Sequence, residues 1–203
     1  MYALFSFTGF RESKRADPCP FLQSLRCGDP SAIRILVNEY GPRIHGFLRC
    51  LVPSNEMAED LTQDVLIKVY QKCGQIESPR SFETWMFTLA RNIALKEMKR
   101  KRYRSEVPKD AKWFETQHSG TTGQPFRHLS AEESALLLKE ALSTLDDKRR
   151  EILALRYFSG LPLQEIADVM KLPLGSIGTT IARSLESLKE YFDSRGIRME
   201  DLI

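Results

Sequence analysis

Leu163-Gln164-Glu165-Ile166-Ala167-Asp168-Val169-Met170-Lys171-Leu172-Pro173-Leu174-Gly175-Ser176-Ile177-Gly178-Thr179-Thr180-Ile181-Ala182-Arg183-Ser184-Leu185-Glu186-Ser187-Leu188 is the stretch on which the fold turns. It divides at Leu172-Pro173-Leu174-Gly175, where proline and glycine break a helical pattern. The spacing predicts a short helix over 162–170, a tight turn, and an amphipathic helix over 174–191. Ile177, Ile181, Leu185 and Leu188 recur at helical spacing and form its inner stripe. Two short helices joined this way make a helix-turn-helix. Ser176, Thr179, Thr180, Arg183 and Ser187 fall outside the stripe. They are the side chains placed to reach a major groove, although short hydroxylic residues are also ordinary on a surface.

Upstream, Gly160-Leu161-Pro162 punctuates a helix over 146–158, and Ser130-Ala131-Glu132-Glu133 fits a capping box that opens another over 131–143. Before that, residues 104–130 hold Pro108, Gly120, Gly123 and Pro125 with almost no apolar periodicity, the composition of a linker. Trp113, Phe114 and Phe126 within it point to a linker that docks. A first helical block precedes it. Asp29-Pro30 pairs a cap with proline at a first helical position. Ile33, Leu36, Val37, Tyr40, Ile44, Phe47, Leu48 and Leu51 then form a stripe that Gly41-Pro42 should kink. Ser54 caps a second helix with Met57, Leu61, Val65, Leu66 and Val69 inward. Ser81 caps a third, with Phe82, Trp85, Leu89 and Ile93 on one face. No segment alternates as a strand does. The expected fold is all-α: two small helical domains joined by a flexible linker, the second containing the helix-turn-helix. The boundaries are an N-terminal extension 1–28, a first domain 29–103, the linker 104–130, a second domain 131–192 and a tail 193–203.

Composition narrows the function. The chain has 203 residues, 42% hydrophobic and 28% charged, which suits two compact domains and excludes wholesale disorder. No apolar run is long enough to span a membrane. The apolar start, Met1-Tyr2-Ala3-Leu4-Phe5, has no basic residues before it. Arg11, Lys14 and Arg15 then stand where an export signal would be cleaved, so it reads as a loose or partner-dependent terminus. Cys19, Cys27, Cys50 and Cys73 form no Cys-x-x-Cys pair, and His45, His118 and His128 complete no metal site, so reduced thiols and no metal or other cofactor are expected. There is no Gly-rich phosphate loop and no nucleophile placed with a histidine, which argues against an enzyme.

The net charge of +3 hides a strong local field. From Arg91 to Arg104 there are seven basic residues against one acidic. Such a cluster attracts phosphates, and Phe82, Trp85, Phe87 and Tyr103 nearby can stack on unpaired bases. The plainer alternative is a basic helix end that complements its own dipole, with aromatics in the core. The preceding helix has the opposite sign, with Glu56, Glu59, Asp60 and Asp64 near its start. Carboxylates suit a helix N-terminus in any case, but two patches of opposite sign suggest two partners.

These elements together resemble a known family. Glu59-Asp60-Leu61-Thr62-Gln63-Asp64-Val65-Leu66-Ile67-Lys68-Val69-Tyr70 and Phe82-Glu83-Thr84-Trp85-Met86-Phe87-Thr88-Leu89-Ala90-Arg91-Asn92-Ile93-Ala94 resemble region 2 of extracytoplasmic-function sigma factors. Leu145 onward, through Arg150-Glu151-Ile152-Leu153-Ala154-Leu155-Arg156-Tyr157-Phe158-Ser159-Gly160 and Glu165-Ile166-Ala167, is similar to their region 4. The resemblance covers about 30–103 and 131–192, in the family's order.

The resemblance implies a bacterial, cytoplasmic transcription-initiation factor without catalysis of its own, monomeric when free, not inserted in a membrane, with core RNA polymerase (clamp coiled coil and flap), promoter DNA and an anti-sigma factor as partners. Asp60, Gln63, Asp64 and Lys68 fall on the positions that contact polymerase. Ser81, Phe82, Trp85, Arg91, Asn92, Lys96, Lys99 and Arg100 fall to the −10 element, with Asn92 and the segment 73–81 matching the base-capture positions. Ser176, Thr179, Thr180, Arg183 and Ser187 fall to the −35 element. The reading helix departs from the family: Gly178 and Thr180 stand where Lys or Arg is usual, Leu185 where Arg is common, and Pro162 replaces a hydroxylic cap. That departure keeps a second reading open, a sigma-like decoy that binds an anti-sigma factor without reading promoters. A third is a different helix-turn-helix regulator with the first block as a sensor.

Overall fold

Asp29 behaves as the Asp-Pro pair predicts: its Oδ1 accepts the Ser31 amide at 2.8 Å, and Pro30 opens helix α2 (Pro30–Ile35). The computed structural model describes residues 18–76, 82–104 and 131–197. The linker residues Trp113, Phe114 and Phe126, together with Ser81, His118 and His128, lie outside the described residues. One helix was not foreseen. Helix α1 (Pro18–Arg26) falls within the stretch read as a loose N-terminal extension, yet it buries Phe21, Leu22 and Leu25 in the first unit. Arg26 fastens its end by donating to the carbonyls of Cys73 (3.2 Å) and Ile76.

The break expected at Gly41-Pro42 takes the form of a π-type turn over Leu36–Tyr40, after which α3 (Gly41–Leu51) continues. Pro42 has no N–H to give the preceding turn, and widening that turn absorbs the missing bond. Ser54 Oγ accepts the Met57 amide at 3.2 Å to cap α4 (Asn55–Lys72). The first unit closes with α5 (Phe82–Arg104). Ile44, Phe47, Leu48, Val65, Val69, Phe82, Met86 and Phe87 are wholly buried between α3, α4 and α5. At about 1.5–3 kcal/mol for each large apolar side chain, this burial is what holds the helices together.

The second unit is α6 (Ala131–Ser143), α7 (Asp147–Tyr157), α8 (Leu163–Met170) and α9 (Leu174–Ser194). Among the described residues there is no strand. Lys171 ends α8 in the left-handed region (φ 54°), and the Leu172 amide returns to the Ala167 carbonyl at 3.0 Å, a C-cap that turns the chain into α9. Ile177, Ile181, Leu185 and Leu188 are buried, as their spacing predicts. The far end of α9 is tied to α6. Tyr191 Oη donates to Glu140 Oε2 at 3.1 Å, and Arg195, stacked on the Tyr191 ring, reaches the same oxygen at 2.7 Å. Burial, then the bond to Glu140, pushes the Tyr191 pKa up, so the hydroxyl remains a donor.

Gly178 lies inside α9, and a Cβ built there meets nothing within 4 Å. Gly178→Ala is therefore expected to stabilise the fold by about 0.5–1 kcal/mol, by removing backbone freedom from the unfolded chain. A urea midpoint that falls instead would show that the bare backbone is needed here.

The two units are packed together. α3 lies against α7, and α5 against α8. The buried apolar side chains of both form one continuous cluster.

Candidate nucleic-acid and polymerase surfaces

Three surfaces emerge from this arrangement. The first is on α4. Asp60, Gln63 and Asp64 are exposed on the side away from the buried Leu61, Val65 and Val69, and Lys68 joins them through an ion pair to Asp64 at 3.5 Å, one helical turn apart. Ile67 sits among them, 54% exposed. Sequence reasoning missed it, though its place off the 61-65-69 stripe is a signal. An exposed isoleucine between carboxylates gives the acidic face an apolar centre, the composition of a protein-binding patch.

The second surface is on α5, and here the structure separates the expected residues. Asn92, Lys96 and Lys99 are exposed on one face of the helix, and Tyr103, 95% exposed, continues it one turn further. Arg100 is exposed beside them and pairs with Glu97 at 2.7 Å. Phe82 does not belong to this face. It is 0% exposed, packed edge-on to Tyr40 with ring centroids 5.4 Å apart and against Phe21 at 5.5 Å, so no ring face is open to a base. Phe87 is buried against Phe47 in the same way. Those aromatics belong to the core, the plainer of the two readings. Trp85 is half-buried against the core. Arg91 points away from the basic track: its Nε donates to Glu151 Oε1 of α7 at 2.5 Å and its Nη2 to Oε2 at 3.3 Å. Burial pushes the Glu151 carboxyl pKa up, and Arg91 pulls it back only in part.

The third surface is on α9. Ser176, Thr179 and Arg183 are exposed, and Thr180 and Ser187 half-exposed, all outside the buried stripe. Thr179 Oγ1 donates to the Gly175 carbonyl (3.0 Å), Thr180 Oγ1 to Ser176 (2.6 Å) and Ser187 Oγ to Arg183 (3.1 Å). With their protons turned into the helix, these hydroxyls present lone pairs outward, suited to the amino groups of adenine and cytosine. Arg183 supplies the positive charge on this face.

Between the two units lies a polar clasp that the sequence did not disclose. Arg43 of α3 donates from Nη1 and Nη2 to the two carboxylate oxygens of Glu83 (2.9 and 2.6 Å). It also crosses to the second unit, donating from Nε to the Ser159 carbonyl at 3.1 Å. Thr84 Oγ1 donates to Glu165 Oε2 of α8 at 3.1 Å. Among the described residues no cluster of side chains is arranged to hold a metal ion, and no helix is long and apolar enough to cross a membrane.

A two-unit helical protein with a helix-turn-helix in one unit and a basic helix in the other is built to grip nucleic acid at two places. Residues 36–104 match the family model for sigma-70 region 2, and residues 135–188 that for sigma-70 region 4. The chain belongs to the sigma-70 family of RNA polymerase sigma factors, in its extracytoplasmic-function group. It is 29% identical to the RNA polymerase sigma-H factor of Pseudomonas aeruginosa, over 82% of this chain and 89% of that one. Identity to the ECF sigma factor SigW of Bacillus subtilis is 25%, over 83% and 93%, and to the ECF sigma-E factor of Escherichia coli K12 it is 27%, over 82% and 90%. The fold is similar to that of the sigma factor RpoE of Bartonella quintana, solved with the anti-sigma factor NepR (TM-score 0.60, 23% identity, 77% of this chain and 94% of that one). It is also similar to CnrH, solved with the cytosolic domain of CnrY (TM-score 0.60, 18% identity, 88% and 97%). Sigma factors are transcription-initiation factors and not enzymes.

Proposed function

We propose that this chain brings core RNA polymerase to promoters, with 29–103 and 131–192 as its two working units. The observation that carries the reading is the shared exposed face of Asn92, Lys96 and Lys99 in a chain that also carries an exposed helix-turn-helix face. The acidic face of α4, with Asp60, Gln63, Asp64, Lys68 and now Ile67, docks on the polymerase clamp. The α5 track, with the segment before it, holds the opened −10 strand: its lysines meet phosphates, and Asn92 offers both donor and acceptor to a base edge. α9 enters the −35 duplex. Neither grip need be tight, because polymerase tethers both. A solved relative bound to an anti-sigma factor supports such a factor as regulator, and the reading takes the free chain as cytoplasmic and monomeric.

Run-off transcription with purified core polymerase on a set of bacterial promoters tests this. Transcripts are expected that require the chain and fall about tenfold or more with Asn92→Ala, since a base-edge hydrogen-bond pair is worth about 1–3 kcal/mol. Arg183→Ala should weaken promoters that depend on a −35 element and spare those that do not. A chain that neither binds polymerase nor starts transcription would sink the reading and leave the decoy in its place.

A further inference from the structure

The outward face of α9 has its protons already committed. Thr179, Thr180 and Ser187 each donate a hydroxyl hydrogen to the carbonyl four residues back, at 3.0, 2.6 and 3.1 Å. A carbonyl only accepts, so each proton lies on that line and each oxygen turns its lone pairs outward. At about 100° per residue, Ser176, Thr180, Arg183 and Ser187 fall within about 60° of one another around the helix, with Thr179 at their edge. Gly175, Gly178 and Ala182 line one flank, and a Cβ built at either glycine meets nothing within 4 Å. Short hydroxylic side chains can therefore approach a groove floor with no bulky neighbour holding them off. Arg183 is exposed on the same face, and it is the sole Lys or Arg between Leu174 and Leu188.

Base-pair edges divide by the same chemistry. Adenine and cytosine offer an amino group to the major groove, whereas guanine and thymine offer no donor there. A hydroxyl that meets an amino group keeps its bond to the helix. One that meets guanine or thymine must swing its proton outward and forfeit that bond, a loss of about two- to tenfold in binding at each position. Every base pair shows one amino group in the major groove, so the hydroxyls select which strand bears it. Resting on the function proposed above, we propose that α9 reads a −35 element built around one guanine, taken by Arg183 at O6 and N7, and flanked by pairs that turn adenine or cytosine, not thymine or guanine, toward the helix. Arg183 is three residues from Thr180 and four from Ser187, about 4.5 and 6 Å along the axis. At ~3.4 Å per step, the selected amino groups lie one to two base pairs to either side of the guanine.

Ser176 supplies a contrast within the same face. It lies in the first turn of α9, where no helical carbonyl stands four residues back, so its proton is free to turn either way. It adds a contact without choosing a base. Thr180→Val keeps the branched shape and removes the oxygen on one side of Arg183, and Ser187→Ala removes it on the other. Both side chains are half-exposed, so neither change should disturb the fold.

Selection from a pool of duplexes randomised over about one helical turn tests this. The full chain, alone at low salt and bound to core polymerase, is mixed with the pool, and the bound DNA is sequenced. The wild type should enrich one guanine about tenfold, with adenine or cytosine favoured over thymine or guanine about two- to tenfold at its neighbours. Arg183→Ala should level the guanine and leave the neighbours. Thr180→Val should level the neighbour on one side only and Ser187→Ala that on the other, whereas Ser176→Ala should weaken binding with the profile unchanged. Two or more required guanines, no enrichment in either form, or a Thr180→Val profile equal to that of the wild type overturns the proposal. If the chain directs run-off transcription but its profile is guanine-rich, this readout fails and the sigma reading stands. If the chain alone gives the expected profile yet neither binds polymerase nor starts transcription, the readout stands and the sigma reading fails.

Discussion

Replacing Arg43 by alanine is expected to destabilise the protein by about 3–5 kcal/mol, as much as truncating a large core side chain. The Arg43 and Glu83 side chains are 7% and 11% exposed and meet through two parallel bonds, a geometry only arginine supplies. The guanidinium also lies over the Tyr40 and Phe87 rings, 5.3 and 5.6 Å from their centroids. Alanine deprives the Glu83 carboxylate of this counter-charge in a site walled by aromatic rings. Arg43→Lys keeps the charge but not the fork, and should fall between the two. Urea unfolding of the three proteins, followed by circular dichroism, checks the order. A destabilisation below about 1 kcal/mol for alanine would mean that water reaches the carboxylate and that the pair is ornamental to stability.

The second large effect concerns DNA. Changing Lys96, Lys99 and Arg100 together to glutamine is expected to lower affinity for a single-stranded −10 oligonucleotide about tenfold or more at low salt. The dependence on salt should flatten as well, by about 0.7 in the log–log slope for each phosphate no longer neutralised. Fluorescence anisotropy of the polymerase-bound protein across a salt series measures both. All three side chains are exposed, so the substitutions should leave the urea midpoint unchanged. Lower affinity with an unchanged slope would mean that these residues shape the site without meeting phosphates.

Much of this was legible in the order of the residues, and the illegible part has a physical pattern. Helical stripes are local, so 177-181-185-188 and 57-61-65-69 could be read directly, and the caps at Asp29 and Ser54 needed only the next three residues. Helix α1 escaped because a nine-residue segment with prolines at 18 and 20 offers only about two and a half turns of periodicity. The aromatics at the start of α5 were harder still. Composition says that Phe82 and Trp85 are apolar, but only the arrival of Phe21 and Tyr40 from elsewhere decides that Phe82 is core. Arg91 shows the same limit for charge. It reads as one of seven cations in a basic run, yet its partner Glu151 is 60 residues away, and Arg43 finds the Ser159 carbonyl across 116. Ion pairs between elements leave no trace in the spacing of either one. The clasp between the units, for that reason, had to be seen.

The tie between Glu140 and the Tyr191–Arg195 pair bears on how force travels through the second unit. α9 is a continuous rod of 21 residues, roughly 31 Å long at about 1.5 Å per residue. Its first half carries Ser176, Thr179 and Thr180 of the proposed DNA face, and its last turn is tied to α6 through Glu140. If α9 reads DNA as proposed, a pull on residues 105–130 would enter it through α6, at the end opposite those hydroxyls. On that reading, a sideways shift of α6 would bear on the far end of α9, and the spacing between the two promoter elements would be felt as torque on the helix that reads one of them.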